Sequence, residues 1–383
     1  MFQFATATKL VFGVGALREL PRLAAGLGKR VWLVTGESGR HEATVRGLLE
    51  SAGATVSVAR VAGEPTIEDV LRLVEAARAG ACELVVGVGG GSVIDGAKAL
   101  SALIANPGDP LDFLEVVGKG QPLTRAPLPF IAVPTTAGTG AEVTKNSVLG
   151  STEHGVKVSL RSDSMLPRVA LVDPELTLSL PPALTAATGL DALTQVIEPF
   201  VSCQHNPITD ALSREGIRRG ARALRRAFHD GSDLEARSDM ALTSLFGGLS
   251  LANAKLGAVH GFAGPIGGKF PAPHGAVCAR LLPGVVACNI EALRAREPKS
   301  ASLERYAELA RILTGLASAC AEDAVGWLRT LTDELEIPPL RAYGVSAGAI
   351  PELVRNARRS SSMQGNPIVL GDAELTAVLS AAI

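Results

Sequence analysis

The chain has no pair of cysteines spaced for a disulfide framework or a thiolate zinc site. Its five cysteines, Cys82, Cys203, Cys278, Cys288 and Cys320, are scattered and odd in number, and no CxxC occurs. A reduced, cytoplasmic setting is expected. Aromatic residues make up only 4%, so the cores must be aliphatic, built on Leu, Val and Ala. Neither sign of charge dominates: 37 Lys and Arg stand against 38 Asp and Glu. That balance argues against a general nucleic-acid or anionic-membrane binder. The N-terminal Met1-Phe2-Gln3-Phe4 lacks a basic segment followed by an apolar core, so no signal peptide is expected. No apolar run reaches membrane-spanning length; the nearest, 252–270, contains Lys255, His260 and several glycines. No internal repeat or low-complexity linker is visible.

What is present is an ordinary soluble composition, 47% hydrophobic and 20% charged, over 383 residues, enough for two or more domains. The first half alternates. Residues 16–23 have roughly helical spacing, with Pro21 a mark against a long helix. Residues 30–35, 55–59, 83–88 and 130–133 are short apolar runs that read as buried strands. Helices are expected at 41–52, at 66–77 behind the N-cap Thr66, and at 93–104. The last plausible strand ends near Leu171-Val172. This order predicts a parallel sheet with helices on both faces and ligands at the carboxyl ends of the strands.

Two glycine-rich loops lie at such ends. Gly89-Gly90-Gly91-Ser92 resembles a phosphate cradle, in which glycines allow close backbone approach and the next helix offers free N–H groups. A tight turn would use the same residues, and the run lacks the last glycine of the usual dinucleotide fingerprint. The second loop, Pro134 to Gly140, adds the hydroxyls of Thr135, Thr136 and Thr139. Two such loops on one sheet favour a dinucleotide over a lone phosphate.

After Pro181-Pro182 the pattern is helical to the C-terminus. Helices are expected at 209–228, 239–254, 302–313, 321–335 and 373–383. The arginines of 209–228 read as a solvated face. The fold class is therefore α/β, with an N-terminal parallel-sheet dinucleotide-binding domain over 1–180. An all-helical metal- and substrate-binding domain follows over 181–383, with the chemistry expected in the cleft between them. Asp191 and Gln195, four residues apart, share a helix face, and His260 and His274 follow downstream. These four could converge on one divalent metal; equally, the spacing fits a buried capping Asp, a surface Gln and two unrelated histidines.

Taken together, these segments resemble the iron-containing (group III) alcohol dehydrogenases, of dehydroquinate-synthase-like fold. The resemblance rests on Gly89 to Lys98, Pro134 to Thr144, Ala187 to Thr194, His260-Gly261-Phe262-Ala263, Pro273-His274-Gly275 and Asn366-Pro367, in family order across nearly the whole chain. It implies NAD(P)-dependent interconversion of an alcohol with an aldehyde or ketone, a small-molecule substrate, and a homodimer or larger assembly. It also implies a divalent ion, Fe²⁺ or Zn²⁺, held by Asp191, His260 and His274, which would be the catalytic set. Gly36, Ser38, Gly89, Gly90, Gly91, Ser92, Asp95, Thr135, Thr136, Thr139 and Lys157 would bind the cofactor.

Two positions depart from the family. Gln195 stands where a metal-binding His is usual, which weakens the site for zinc and iron and makes Mn²⁺ more competitive if the amide ligates. Gly264 stands where many members have a His in a proton relay, leaving that role to water, ribose hydroxyls or another side chain. Gly36 follows the strand expected at 30–35, where NAD-preferring members carry Asp, and Ser38 and Arg40 could bind a phosphate; NADP is favoured, with Glu37 the counter-argument. The altered ligand set also fits a metal-independent reductase of maleylacetate type. A dehydroquinate-synthase-like lyase would want a basic cluster, for which only Lys269 and Arg280 are candidates.

Overall fold

The structure, a computed structural model, describes all residues except Val116 and Gly155. The chain divides into two compact units. One comprises Ala5–Thr136 and Gly140–Leu178; the other comprises Met1–Phe4, Ala137–Thr139 and Ser179–Ile383.

The first unit is a six-stranded parallel sheet. In chain order its strands are β1 (Lys9–Phe12), β2 (Arg30–Gly36), β3 (Thr55–Val61), β4 (Leu84–Gly89) and β5 (Phe130–Pro134). A hairpin follows, β6 (Asn146–Ser151) and β7 (Val156–Arg161), before the last sheet strand, β8 (Val169–Val172). The spatial order is β1-β8-β5-β4-β2-β3, with Leu33 of β2 opposite both Val58 and Val86. Every residue of the central β4 is buried, which is why it reads as an unbroken apolar run. Its side chains alternate: Leu84, Val86 and Val88 join a core under α1 (Leu20–Ala24) and α2 (Glu42–Ser51). Val85 joins the core under α3 (Ile67–Ala79) and α4 (Gly91–Ala105) on the other face. Thr66 caps α3 as expected, in a reciprocal capping box with Asp69.

Three features correct the sequence reading. The edge strand β1 and the antiparallel hairpin β6–β7 were not expected. The segment at 16–23 is a 3₁₀ turn followed by the five-residue α1, in keeping with the expectation that Pro21, now in the first turn of α1, breaks a longer helix. Also, α4 begins at Gly91, so Gly91 and Ser92 lie in its first turn and Gly90 is its N-cap.

The second unit is all helical: α5 (Pro182–Val201), α6 (Pro207–His229), α7 (Leu234–Ala254), α8 (Ala258–Lys269), α9 (His274–Arg296), α10 (Ala301–Thr314), α11 (Ala321–Glu334), α12 (Ile350–Arg359) and α13 (Asp372–Ala382). The fold class is thus the one expected. Helix α5 is buried on nearly all sides because its neighbours approach through glycines. Gly220 of α6 sits on Leu193, and Gly247 of α7 on Gln195, each where an added Cβ would collide with that side chain. The stretch 252–270 is not one apolar run but the end of α7, a break and α8. Among the described residues one helix, α9, is long and apolar enough to cross a membrane, and 72% of its apolar window is buried against its own unit.

Candidate active site

Helix α5 carries Asp191 and Gln195 one turn apart, only 2% and 3% exposed. His260 is the third residue of α8. His274 is the first residue of α9, with Cys278 one turn further on. These elements bring four donors together. Asp191 Oδ1 lies 3.4 Å from His260 Nε2 and 3.8 Å from His274 Nε2. Cys278 Sγ lies 3.7 Å from each of the same two nitrogens. The ligand atoms of Asp191, His260, His274 and Cys278 all fall within 4.8 Å of one another. His274 is the one member of the four that is not fully buried, with 34% of its side chain exposed.

The orientation of His260 is fixed from behind. Glu198, two turns along α5 from Asp191, places Oε2 2.7 Å from His260 Nδ1, and its Oε1 accepts the Val259 N–H at 2.7 Å. Asn366 accepts the neighbouring Ala258 N–H at 3.1 Å. The two side chains together cap α8, and an added Cβ at Gly257 would collide with both. With Nδ1–H donated to Glu198, Nε2 faces the cluster, the carboxylate–histidine arrangement that commonly orients metal-binding imidazoles.

The electrostatics agree. Burial alone would raise Asp191, but the charge of His274, contact with His260 and the Gln195 amide outweigh it and hold the carboxyl below its usual range. Burial likewise opposes the charged form of His260, yet Cys278, Asp191 and Glu198 lift it well above the ordinary imidazole value. His274 is raised chiefly by Cys278, then by Asp191, against burial. Two buried oxygens at the site, Asp191 Oδ1 and Gln195 Oε1, have no hydrogen-bond partner among the described residues. An orphaned carboxylate oxygen facing two imidazoles and a thiol is what a bound cation would satisfy, so the residues present fit a divalent ion.

Sequence reasoning placed Asp191, His260 and His274 in the site and missed Cys278 and Glu198. The absence of CxxC had argued against a thiolate at a metal; a single cysteine one helical turn from a histidine escapes that test. Gln195 stands beside Asp191, but its oxygen lies against α7, 3.5 Å from where a Cβ on Gly247 would be. At Gly264 an added Cβ would meet nothing within 4 Å among the described residues, so the space beside it is open.

In the sheet unit, Gly36, Gly89 and Thr135 gather at the carboxyl ends of β2, β4 and β5, where Thr135 N donates to Gly89 O at 2.9 Å. Gly90 has no side-chain cap on α4, leaving first-turn N–H groups available, and Thr136 packs beside it. Ser38 is exposed in the turn after β2. Asp95 accepts the Val148 N–H at 3.1 Å and so ties α4 to the hairpin. Lys157 is ion-paired with Glu64 at 2.7 Å. Thr139 belongs to the stretch grouped with the helical unit, where Gly138 packs against Thr188.

Comparison with known proteins agrees with this architecture. Residues 7–174 match the family model for iron-containing alcohol dehydrogenase, and residues 185–383 match that of the family's C-terminal region. Alcohol dehydrogenase 4 of Saccharomyces cerevisiae is 34% identical over 378 residues, covering 96% of this chain and 95% of the yeast protein. A solved 1,3-propanediol oxidoreductase superposes with a TM-score of 0.93 at 33% identity over the whole of both chains. A sulfoacetaldehyde reductase of Bifidobacterium kashiwanohense, solved in complex with NAD⁺, gives 0.87 at 29% identity, covering 100% of this chain and 98% of that one. The chain belongs to the iron-containing alcohol dehydrogenase family, and is accordingly an oxidoreductase of the alcohol dehydrogenase type. The family implies a nicotinamide cofactor and a divalent metal.

Proposed function

We propose that the protein is an NAD(P)-dependent, metal-assisted dehydrogenase that interconverts a small alcohol with its aldehyde or ketone. The observation that carries the metal dependence is the orphaned Asp191 Oδ1 facing His260 and His274. A divalent ion held there supplies Lewis acidity toward the substrate oxygen, and the nicotinamide supplies or accepts the hydride. In oxidation the substrate loses a hydride from carbon and a proton from oxygen, so one carbonyl, one reduced cofactor and one proton leave together.

The chain's own part is position and charge. Asp191 contributes the negative charge that favours a cation. Glu198 fixes the His260 ring so that Nε2 is the presenting nitrogen. Gln195 steadies the Asp191 carboxylate. With no side chain at Gly264, the hydroxyl proton is exchanged with water. On the nucleotide side, the uncapped start of α4 at Gly90, Gly91 and Ser92 takes the pyrophosphate, with Thr135 and Thr136 from the second loop. Asp95 and Lys157 flank the ribose. Gly36 places no carboxylate at the end of β2, and Ser38 and Arg40 follow it, which favours NADP.

The test is a substrate panel of alcohols, aldehydes and ketones with each nicotinamide, on the purified chain. Reversible oxidation and reduction of one matched pair, faster with NADP than with NAD, is expected. Reduction of an oxo acid alone, with no alcohol oxidised under any condition, would favour the maleylacetate-reductase-type reading.

A further inference from the structure

The donor set at the candidate metal centre contains a group that the family resemblance did not supply. We propose that the Cys278 thiolate is the fourth protein ligand of the ion, in place of Gln195, giving an Asp–His–His–Cys site; this rests on the metal-assisted reading above.

The geometry is the first ground. An ion in tetrahedral coordination, with bonds of about 2.0–2.2 Å to N and O and about 2.3 Å to S, sets N···O edges near 3.4 Å and S···N edges near 3.6 Å. The two Asp191–imidazole distances are 3.4 and 3.8 Å, and the two Cys278–imidazole distances are both 3.7 Å. These four edges match such a polyhedron, and all the donor atoms lie within 4.8 Å of one another.

The second ground is the orphaned oxygen. Asp191 Oδ1, on a side chain 2% exposed, points at both imidazoles and finds no hydrogen-bond partner among the described residues. A buried thiol with two imidazole nitrogens beside it and an unsatisfied carboxylate opposite is a poor hydrophobic contact and a good coordination shell.

The third ground is what Gln195 does instead. It stands one turn from Asp191 on α5, and its oxygen lies 3.5 Å from where a Cβ on Gly247 of α7 would be. Gln195 therefore acts as a positioning residue behind Asp191. The exchange also changes metal preference. A thiolate favours zinc and iron, whereas an amide oxygen in the same place would leave room for Mn²⁺. With an amide at 195, the sulfur donor one turn beyond His274 is what gives the site a soft ligand, from a different helix.

The experiment is cobalt substitution in the full-length protein, stripped with a chelator and reloaded with Co²⁺. A thiolate ligand gives a sulfur-to-cobalt charge-transfer band in the near ultraviolet. The band is expected in the wild type and in Gln195→Ala, and is expected to vanish in Cys278→Ser and Cys278→Ala. Those two variants should also bind Zn²⁺ at least about tenfold more weakly and lose preference for Zn²⁺ over Mn²⁺. The near-isosteric serine guards against a folding defect, which circular dichroism and melting would expose. If cobalt binds one per chain without the band, or if the band survives both cysteine substitutions, the thiolate ligand is overturned while the metal reading stands. If the folded wild type binds no cobalt at all, the metal reading fails, and the ligand assignment with it.

Discussion

Glu198 Oε2 lies 2.7 Å from His260 Nδ1, while the other oxygen of the same carboxylate accepts the N–H of Val259, the residue just before His260. One side chain thus holds both the start of α8 and the ring that this helix presents. In Glu198→Gln the amide oxygen can still cap α8, but its NH₂ then faces Nδ1 and drives the imidazole proton onto Nε2. Zinc affinity, read by competition with a chromophoric chelator, is expected to fall by about 10–100-fold with the fold intact. An unchanged affinity would mean that His260 is not a ligand.

The strand-to-helix turn is tested at Gly89. A Cβ there would stand 2.5 Å from Val93 Cγ2 and 2.6 Å from Val93 Cβ, atoms fixed in the first turn of α4. Gly89→Ala is expected to cost about 1–3 kcal/mol in chemical unfolding and to weaken nicotinamide binding, measured by reduced-cofactor fluorescence. Wild-type binding in a folded variant would remove this loop from the cofactor site.

Cofactor choice is tested at Gly36, where an added Cβ meets only Val93 Cγ2 at an ordinary 3.7 Å, so a larger side chain fits. Gly36→Asp should shift the ratio of kcat/KM for NADPH over NADH by at least about tenfold toward NADH, since the new carboxylate repels a 2′-phosphate. If the wild type already prefers NADH and the substitution leaves the ratio alone, the NADP assignment is wrong.

A pH effect follows from a buried pair beneath the second loop. Burial pushes Glu142 up to about 7, against its backbone hydrogen bond and the charge of Lys98. Burial pushes Lys98 down to about 8, against Asp95 and Glu142. Lys98 Nζ meanwhile donates to the carbonyls of Ala141, Thr144 and Asn146. The folded chain therefore holds a proton on Glu142 that the unfolded chain has released, and stability from this group falls as pH rises from about 4.5 to about 7. For Lys98 the unfolded chain binds the extra proton, so its contribution rises with pH above about 8. Glu142→Gln should flatten the acid-side slope, by roughly 1–3 kcal/mol between its ends, in urea unfolding. Parallel wild-type and variant curves would contradict it.

The chain showed most of this in its pattern, for reasons that also explain the omissions. Strands β2, β4 and β5 are buried on both faces and so read as continuous apolar runs, and Asp191, His260 and His274 sit in motifs. Strand β1 is four residues long with Lys9 and Leu10 exposed, so it offers little burial signal; β7 does alternate apolar and polar residues, with Val158 and Leu160 buried, but over only six residues beside the Ser- and Gly-bearing β6. Glu198 is a charged residue that by composition belongs outside, and the Val259 N–H and His260 ring it holds make its burial tolerable. Cys278 shares a face with His274 through one helical turn, a relationship that carries weight only once α8 and α5 are seen to meet α9 there. Asn366 belonged to the resemblance, but its work, capping α8 from more than a hundred residues away, is visible only in the fold.

The central claim is that this chain uses a divalent ion. Elemental analysis of gently purified protein, with NADPH-dependent aldehyde reduction assayed before and after chelation, tests it most directly. The account predicts about one ion per chain, with activity lost on chelation and restored by Zn²⁺ or Fe²⁺. Protein without an ion that reduces its substrate equally well in the presence of chelator would contradict it.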